Sequence, residues 1–193
     1  CGAVRRRFAL TVDVYGSRAI MCPRIVQIYG QGETPMVGTV LCRADLADTS
    51  HPRHLDRIAS VGVAQTPARV RVTDAQGVDL PLGDIGEIVV KGDSVMAGYW
   101  ANPDATAAAI KNGWLFTGDM GALDADGFLT LMDRSKDVII SYGSNIYPRE
   151  VEEVLHLHLQ VRDVAVVGER DVDVGKVAVA FLDAGVARSV PDA

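Results

Sequence analysis

The chain has 193 residues with 19 basic and 25 acidic side chains, so its formal net charge is −6. A protein that binds duplex nucleic acid needs clustered Lys and Arg, and this balance argues against nucleic acid as a partner. Its 48% hydrophobic and 23% charged residues are typical of a globular chain of one or two domains. Cys1, Cys22 and Cys42 form no C-x-x-C pair and fit a reducing cytoplasm. No apolar run approaches the roughly 20 residues of a transmembrane helix.

Strands and turns are predicted for most of the first hundred residues, although residues 1–24 give no clear pattern. The β-branched run 24–29, which ends at Gly30, predicts a buried strand, and Pro52 predicts a turn over 50–55. Apolar and polar residues alternate over 68–92 on both sides of a turn. This alternation predicts two or three antiparallel strands.

A short helix and a hairpin are predicted next. Asn-Pro-Asp opens the run 102–112, as at the start of a capped helix. Two strands are predicted within 114–133, joined by a turn over 124–127 that contains Ala-Asp-Gly.

The last sixty residues predict a small lobe of helix and strands. A helix is expected from Pro148, with acidic residues in its first turn, and the runs 161–167 and 176–182 predict strands. His156 and His158 form an H-x-H pair, which we expect on that helix. Residues two apart on a helix point to different faces, so metal binding is improbable, and one buried and one exposed histidine are expected.

Three stretches each place a carboxylate in a turn after an apolar strand, and they lie at 29–33 (YGQGE), 116–119 (FTGD) and 132–137 (MDRSKD). A carboxylate can accept hydrogen bonds from both hydroxyls of a ribose, an arginine can reach a sugar or phosphate, and a glutamate can hold Mg²⁺. Each of these stretches, taken alone, is also explained by a carboxylate that accepts hydrogen bonds from nearby backbone N–H groups of the turn, or by a surface ion pair. There is no phosphate loop of the G-x-x-x-x-G-K-[ST] type, no G-x-S-x-G elbow and no G-x-G-x-x-G.

The order of these stretches, together with GDIGEIVVKGDSVMAGYWANPDAT at 83–106 and the long run from Gly113 to Leu155, resembles the adenylate-forming superfamily. Within it, the chain is similar to AMP-forming acyl-CoA synthetases over about residues 24–182. The resemblance implies an α/β fold built of α+β lobes. Residues 1–132 would be the β-rich C-terminal part of the large AMP-binding domain, and residues 133–193 a small, incomplete, mobile C-terminal domain.

The activity that the resemblance implies has two steps. A carboxylic acid, with a fatty acid favoured, reacts with MgATP to give acyl-AMP and pyrophosphate, and the acyl group then passes to coenzyme A. The sequence shows no insertion of the kind that marks fatty acyl-AMP ligases, and the residues after Asp133 resemble those of acyl-CoA ligases. Chain length of the acid and the final acceptor are not readable from these residues.

The resemblance also implies roles for individual residues of the nucleotide site. Tyr29 would stack on adenine, with Gly30 beside it in the same site. Glu33 would hold Mg²⁺ and act in catalysis. Asp119 would bind the ribose hydroxyls, and Arg134 would assist catalysis at the ribose.

Further roles fall on the hinge and on the loop after it. Asp133 matches the hinge between the two domains, and Gly143 and Asn145 belong to the loop that approaches the site for thioester formation beside coenzyme A. The chain departs from the family at Gly32, where a threonine that faces phosphate is common, and at Tyr142, where a glycine is usual.

The chain starts at Cys1 and ends in a short polar tail after Arg188, so we expect a segment of a longer protein. The residues at 1–22 correspond only weakly to the family's adenine loop. A phosphate loop and most of the acid pocket are expected before this segment, and a catalytic lysine after it. We therefore expect little or no adenylation by this chain alone, and exposed apolar surface that favours a homo-oligomer. The alternative is a non-catalytic remnant that keeps a surface for AMP or a partner.

Overall fold

The computed structural model describes residues 26–171 and 175–184. The adenine loop expected at 1–22 and the cysteines Cys1 and Cys22 lie outside the described residues. The chain divides into two compact units, Cys1–Met132 and Asp133–Ala193.

The first unit begins with a three-stranded antiparallel sheet whose strands follow one another in the order β1, β2, β3. The run predicted as a strand over 24–29 contains the start of β1. The turn predicted over 50–55 is confirmed up to residue 53, and its last two residues begin the second of two helices that were not predicted. The elements are β1 (Gln27–Gln31), β2 (Thr34–Leu41), α1 (Arg43–Ala47), α2 (His54–Ala59) and β3 (Val63–Ala64).

The second sheet of this unit has the order β4-β5-β7-β6, with β8 paired to β7. The strands predicted within 68–92 and the hairpin over 114–133 are confirmed. The helix predicted over 102–112 is confirmed only over Pro103–Ala109, because Ile110–Lys111 form a short strand instead. The Asn102 Oδ1 accepts a hydrogen bond from the Ala105 N–H over 3.0 Å, which caps the helix as expected. The elements are β4 (Ala68–Thr73), β5 (Gly86–Gly92), α3 (Pro103–Ala109), β6 (Ile110–Lys111), β7 (Trp114–Leu123) and β8 (Leu129–Arg134).

The core of the first unit joins its two sheets. Tyr29 of β1 packs in one buried cluster with Ile88 of β5 and Leu129 of β8, and the last two are fully buried. Burying a side chain of this size stabilises a fold by about 1.5–3 kcal/mol. Because Tyr29 belongs to this core, strand β1 is fixed against the second sheet.

A second contact fixes the β7–β8 turn against α2. Arg53 forms ion pairs with Asp124 and Asp126, and the Arg57 Nη2 lies 3.1 Å from the Asp126 Oδ2. The Arg57 guanidinium also stacks over the Phe128 ring at 4.8 Å from its centroid. The hydrogen bond from Arg57 is the main reason why the pKa of Asp126 is lowered.

The second unit is a four-stranded antiparallel sheet of order β10-β9-β12-β11 with one helix packed on β11. Its core consists of Ile139, Val164 and Val166. The helix begins at Pro148 as predicted, and both predicted strands are confirmed and are longer than expected. The elements are β9 (Ile139–Ser141), β10 (Ser144–Ile146), α4 (Pro148–Leu155), β11 (Val161–Asp171) and β12 (Gly175–Ala184).

The prediction that His156 and His158 lie on this helix is wrong, because α4 ends at Leu155 and both histidines follow it in a turn. His156 is partly buried, with its Nε2 3.8 Å from the Asp163 Oδ1, and His158 is exposed. Within the described ranges, no group of three His, Cys, Asp or Glu side chains could hold a metal ion. The same residues contain no helix with the length and apolar character of a membrane span. The predicted sheet-rich α/β class with α+β lobes is confirmed.

Candidate functional site

Asp119 lies on a bulge of β7 next to the central strand β5. Val89 pairs with Phe116 and Glu87 pairs with Met120, so the three residues Thr117–Asp119 lie opposite Ile88 alone. Gly118 has φ +71°, a left-handed conformation that glycine adopts without strain. The bulge interrupts the ladder at the Thr-Gly-Asp sequence that was singled out as a candidate site.

Side chains of the bulge and of β5 satisfy its backbone groups. The Thr117 hydroxyl donates to the Ile88 carbonyl oxygen over 2.7 Å and accepts from the Asp119 N–H over 3.1 Å. The Glu87 carboxylate accepts from the Gly118 N–H over 3.0 Å. The Thr-Gly-Asp backbone is therefore held by hydrogen bonds that its own sequence supplies.

Two donors from β1 converge on one oxygen of Asp119. The Tyr29 hydroxyl donates to the Asp119 Oδ2 over 2.8 Å, and the Gln31 side-chain amide donates to the same oxygen over 2.6 Å. The Gln31 amide also donates to the Thr117 carbonyl oxygen over 3.0 Å. Hydrogen bonds to an ionised carboxylate are stronger than those between neutral groups, so this contact fixes Asp119 relative to β1.

The predicted adenine contact of Tyr29 stays a prediction. The side chain is only 4% exposed, and a Cβ atom at Gly38 would lie 3.1 Å from the tyrosine Cδ1, so the ring packs closely on β2. Gly30, the other residue expected there, is exposed. The structure thus brings Tyr29 and Asp119 together through the tyrosine hydroxyl.

Glu33 lies in the turn between β1 and β2. Its Oε1 accepts from the Tyr99 hydroxyl over 2.8 Å, and its carbonyl oxygen accepts from the Met96 N–H over 2.8 Å. The bond to Glu33 is the main reason why the pKa of Tyr99 is raised. A Cβ atom at the neighbouring Gly32 would meet no atom within 4 Å.

The Glu33 carboxylate suits the Mg²⁺ ion that the family resemblance implies. It is half-buried and is held on one oxygen by a neutral hydroxyl donor. Mg²⁺ is commonly bound by one or two carboxylates, with water and substrate phosphate completing its shell. A single oriented carboxylate therefore fits such a site.

The remaining predicted residues follow the division between the units, and Asp133 and Arg134 are also the last two residues of strand β8. The Asp133 carboxylate accepts from the backbone N–H of Arg134 over 2.8 Å and from that of Arg149 over 3.3 Å. Because Arg149 lies in the first turn of α4, Asp133 places negative charge at a helix N-terminus, which is favourable. The Arg134 side chain is exposed.

Gly143 and Asn145 lie in the β9–β10 hairpin of the same unit. Tyr142 and Gly143 form its two-residue turn with φ values of +49° and +78°. Tyr142 is 83% exposed, and a Cβ atom at Gly143 would meet nothing within 4 Å. Asn145 is exposed, opposite Ile140. The hairpin thus presents an open turn at the position where the family usually has glycine.

Sequence reasoning missed the contacts of Gln31, Thr117 and Tyr99. Gln31 lies inside the YGQGE stretch, but its partner Asp119 is 88 residues away, and Tyr99 is 66 residues from Glu33. No spacing rule joins residues so far apart in the sequence.

Comparison with known proteins gives the family. The profile of the AMP-binding enzyme family matches residues 11–100. A medium/long-chain-fatty-acid–CoA ligase of Mycobacterium tuberculosis is 41% identical over 171 residues, which are 88% of this chain and 29% of that protein. The chain spans less than a third of the length of this relative and of two others, a long-chain-fatty-acid–CoA ligase and a 2-succinylbenzoate–CoA ligase.

Solved structures of this group share the fold. An amide bond synthetase from Marinactinospora thermotolerans superposes with a TM-score of 0.79 at 35% identity, over 95% of this chain and 36% of that one. An o-succinylbenzoate CoA synthetase from Bacillus subtilis, in complex with its acyl-adenylate intermediate, gives 0.78 at 34% identity, over 93% and 35%. On these matches, the chain belongs to the AMP-binding enzymes, the adenylate-forming family that includes the AMP-forming acid–CoA ligases.

Proposed function

We propose that this chain is part of an ATP-dependent acid–CoA ligase, which converts a carboxylic acid to acyl-AMP and then transfers the acyl group to coenzyme A. The observation that carries the proposal is the Asp119 carboxylate, fixed on a bulge and held on one oxygen by Tyr29 and Gln31. The match of residues 11–100 to the AMP-binding family supports a nucleotide as the ligand of this unit.

In the first step, Asp119 accepts hydrogen bonds from the ribose hydroxyls and fixes the sugar. A charged acceptor makes these bonds stronger than neutral ones would be. Glu33 would hold Mg²⁺, which when bound would neutralise phosphate charge. Catalysis of this kind depends mainly on orientation and charge stabilisation, so a carboxylate that is already oriented lowers the cost of reaching the reactive geometry.

In the second step, the unit that begins at Asp133 rotates, and the β9–β10 hairpin approaches coenzyme A. The division of the chain between Met132 and Asp133 supports the proposed domains 1–132 and 133–193 and a hinge at Asp133. Gly143 leaves room for the pantetheine arm, with Asn145 beside it, and Arg134 assists at the ribose.

The relatives support a carboxylic acid as substrate, and we propose a fatty acid. The Mycobacterium tuberculosis and Yersinia pestis relatives are named as fatty-acid–CoA ligases. Among other relatives are 2-succinylbenzoate and feruloyl enzymes. The acceptor is proposed as coenzyme A, although one structural neighbour is an amide bond synthetase. A cytoplasmic location remains a prediction from the sparse cysteine content.

The test is an AMP titration of the 193-residue chain by calorimetry, with Asp119→Ala and the matched control Asp84→Ala. Asp84 is an exposed aspartate in the same unit. We expect saturable AMP binding that weakens at least about tenfold in Asp119→Ala, because a charge-assisted hydrogen bond is lost, and that persists in Asp84→Ala. Equal losses in both variants would contradict the ribose role. Absence of AMP binding by the folded wild-type chain would favour a non-catalytic remnant that keeps a surface for a partner and not one for AMP.

A further inference from the structure

Gln31 connects β1 to the Thr-Gly-Asp bulge at two points. Its Nε2 lies 2.6 Å from the Asp119 Oδ2 and 3.0 Å from the Thr117 carbonyl oxygen. A primary amide has two N–H donors, and this geometry uses both of them. Gln31 therefore fixes the orientation of the Asp119 carboxylate and also its position along β7.

Tyr29 donates to the same carboxylate oxygen, but its situation differs. It is 4% exposed and belongs to the core of the first unit, whereas Gln31 is half-buried and outside that core. A substitution at Tyr29 would disturb the packing of the core. A substitution at Gln31 would mainly change the orientation of the Asp119 carboxylate. The contact of Gln31 is thus the one that can be varied to change how Asp119 is aimed.

We propose that Gln31 is a positioning residue that aims the Asp119 carboxylate at the ribose and so sets the preference of the site for nucleotides that carry ribose hydroxyls. The proposal rests on the proposed function, because it requires Asp119 to bind ribose. The terminal torsion of an aspartate is broad, so an unsupported carboxylate samples many orientations. Two donors on a single oxygen restrict this rotation and leave the carboxylate oriented before the nucleotide arrives.

The experiment compares AMP with 2′,3′-dideoxy-AMP, which lacks both ribose hydroxyls. Gln31→Met keeps the length of the side chain and removes both donors, and Gln31→Glu keeps its shape but places a second carboxylate against Asp119. Gln76→Met is the matched control, since Gln76 is an exposed glutamine in a turn of the same unit. Trp fluorescence and circular dichroism establish that each variant is folded.

We expect Gln31→Met to bind AMP about tenfold more weakly, which is the effect of one lost hydrogen bond to a charged group, and to bind 2′,3′-dideoxy-AMP with less than about a twofold change. The ratio of the two affinities therefore falls, and it falls further in Gln31→Glu, while Gln76→Met keeps the wild-type ratio. A purely structural role would weaken both ligands equally, and an unchanged ratio in either Gln31 variant overturns the proposal.

Failure of the proposed function has a different signature. If the folded wild-type chain binds AMP and 2′,3′-dideoxy-AMP equally, Asp119 does not bind ribose, and both proposals fall. The contact itself is tested without ligand by ¹⁵N NMR, in which the Gln31 side-chain amide signals should shift in Asp119→Ala and stay in place in Asp84→Ala. Signals that stay in place in both variants show that Gln31 does not hold Asp119 and overturn this inference alone.

Discussion

Replacement of Thr117 by valine removes one hydroxyl and keeps the branched shape of the side chain. That hydroxyl donates to the Ile88 carbonyl oxygen over 2.7 Å and accepts from the Asp119 N–H over 3.1 Å. A hydrogen bond contributes about 0.5–1.5 kcal/mol net, and partly buried groups left unpaired add to the loss. We therefore expect the free energy of unfolding of the first unit to fall by about 2 kcal/mol.

The assay is urea denaturation followed by tryptophan fluorescence. The chain has two tryptophans, Trp100 and Trp114, and both lie in the first unit, so the signal reports on that unit. Thr117→Ser, which keeps the hydroxyl, should lose less than about 1 kcal/mol. The valine variant should also bind AMP more weakly, because the Asp119 backbone is released. If valine destabilises the unit no more than serine does, the hydroxyl does not support the bulge and the reasoning is refuted.

Three further predictions concern the turns. The hydrogen bond to Glu33 raises the pKa of Tyr99. This hydrogen bond therefore contributes its full stabilisation below the ordinary tyrosine pKa, and the contribution is lost as pH rises through the raised pKa. Absorbance titration should show Tyr99 ionising at lower pH in Glu33→Gln, and an unchanged titration would contradict the contact. In Gly32→Thr the new Cβ lies in open space, so the free energy of unfolding should change by less than about 1 kcal/mol. The variant should also bind AMP more strongly. A larger loss in the free energy of unfolding, measured by denaturation, would show a hidden clash. Tyr142 has φ +49° ahead of Gly143, a conformation that asparagine tolerates better than tyrosine. Tyr142→Asn should therefore stabilise the second unit by about 0.5–1 kcal/mol, measured by thermal denaturation. A lower melting temperature of the variant would argue against backbone strain at this residue.

Local signals in the sequence predicted much of the fold. The Asn102 cap was readable because its partner, the Ala105 N–H, lies three residues away. The β7–β8 turn was readable for the same reason, since the Asp124 Oδ1 accepts from the N–H groups of Asp126 and Phe128. Bonds between residues this close in the chain leave a pattern that a reader of the sequence can recognise.

The elements that were missed lack such a pattern. Strand β2 contains Pro35 and Gly38, which indicate a break in a strand rather than its interior. Its glycine has a packing reason, because a Cβ atom at Gly38 would lie 2.8 Å from the Tyr29 carbonyl oxygen. The helices α1 and α2 have only five and six residues, too few to show a helical period.

The candidate site was predictable in its residues but not in its contacts. The roles of Asp119 and Glu33 came from resemblance to a family, and composition or spacing alone did not assign them. The donors that hold these carboxylates come from 66 to 90 residues away. Pairing of this kind is decided by the docking of β1 on the second sheet, which is a tertiary event.

The strand period explains why the residue between the two glycines of the YGQGE stretch matters. Side chains two apart on a strand point to the same face, and Tyr29 and Gln31 accordingly reach the same oxygen of Asp119. Gly30 occupies the intervening position of the strand, Gly32 lies in the turn that follows it, and both are exposed. The alternation therefore covers residues 29–31, and residues 32–33 belong to the turn. Substitutions at Tyr29 and at Gln31 should both change the orientation of the Asp119 carboxylate. Substitutions at Gly32 should instead change the surface that the turn presents to a ligand in solvent.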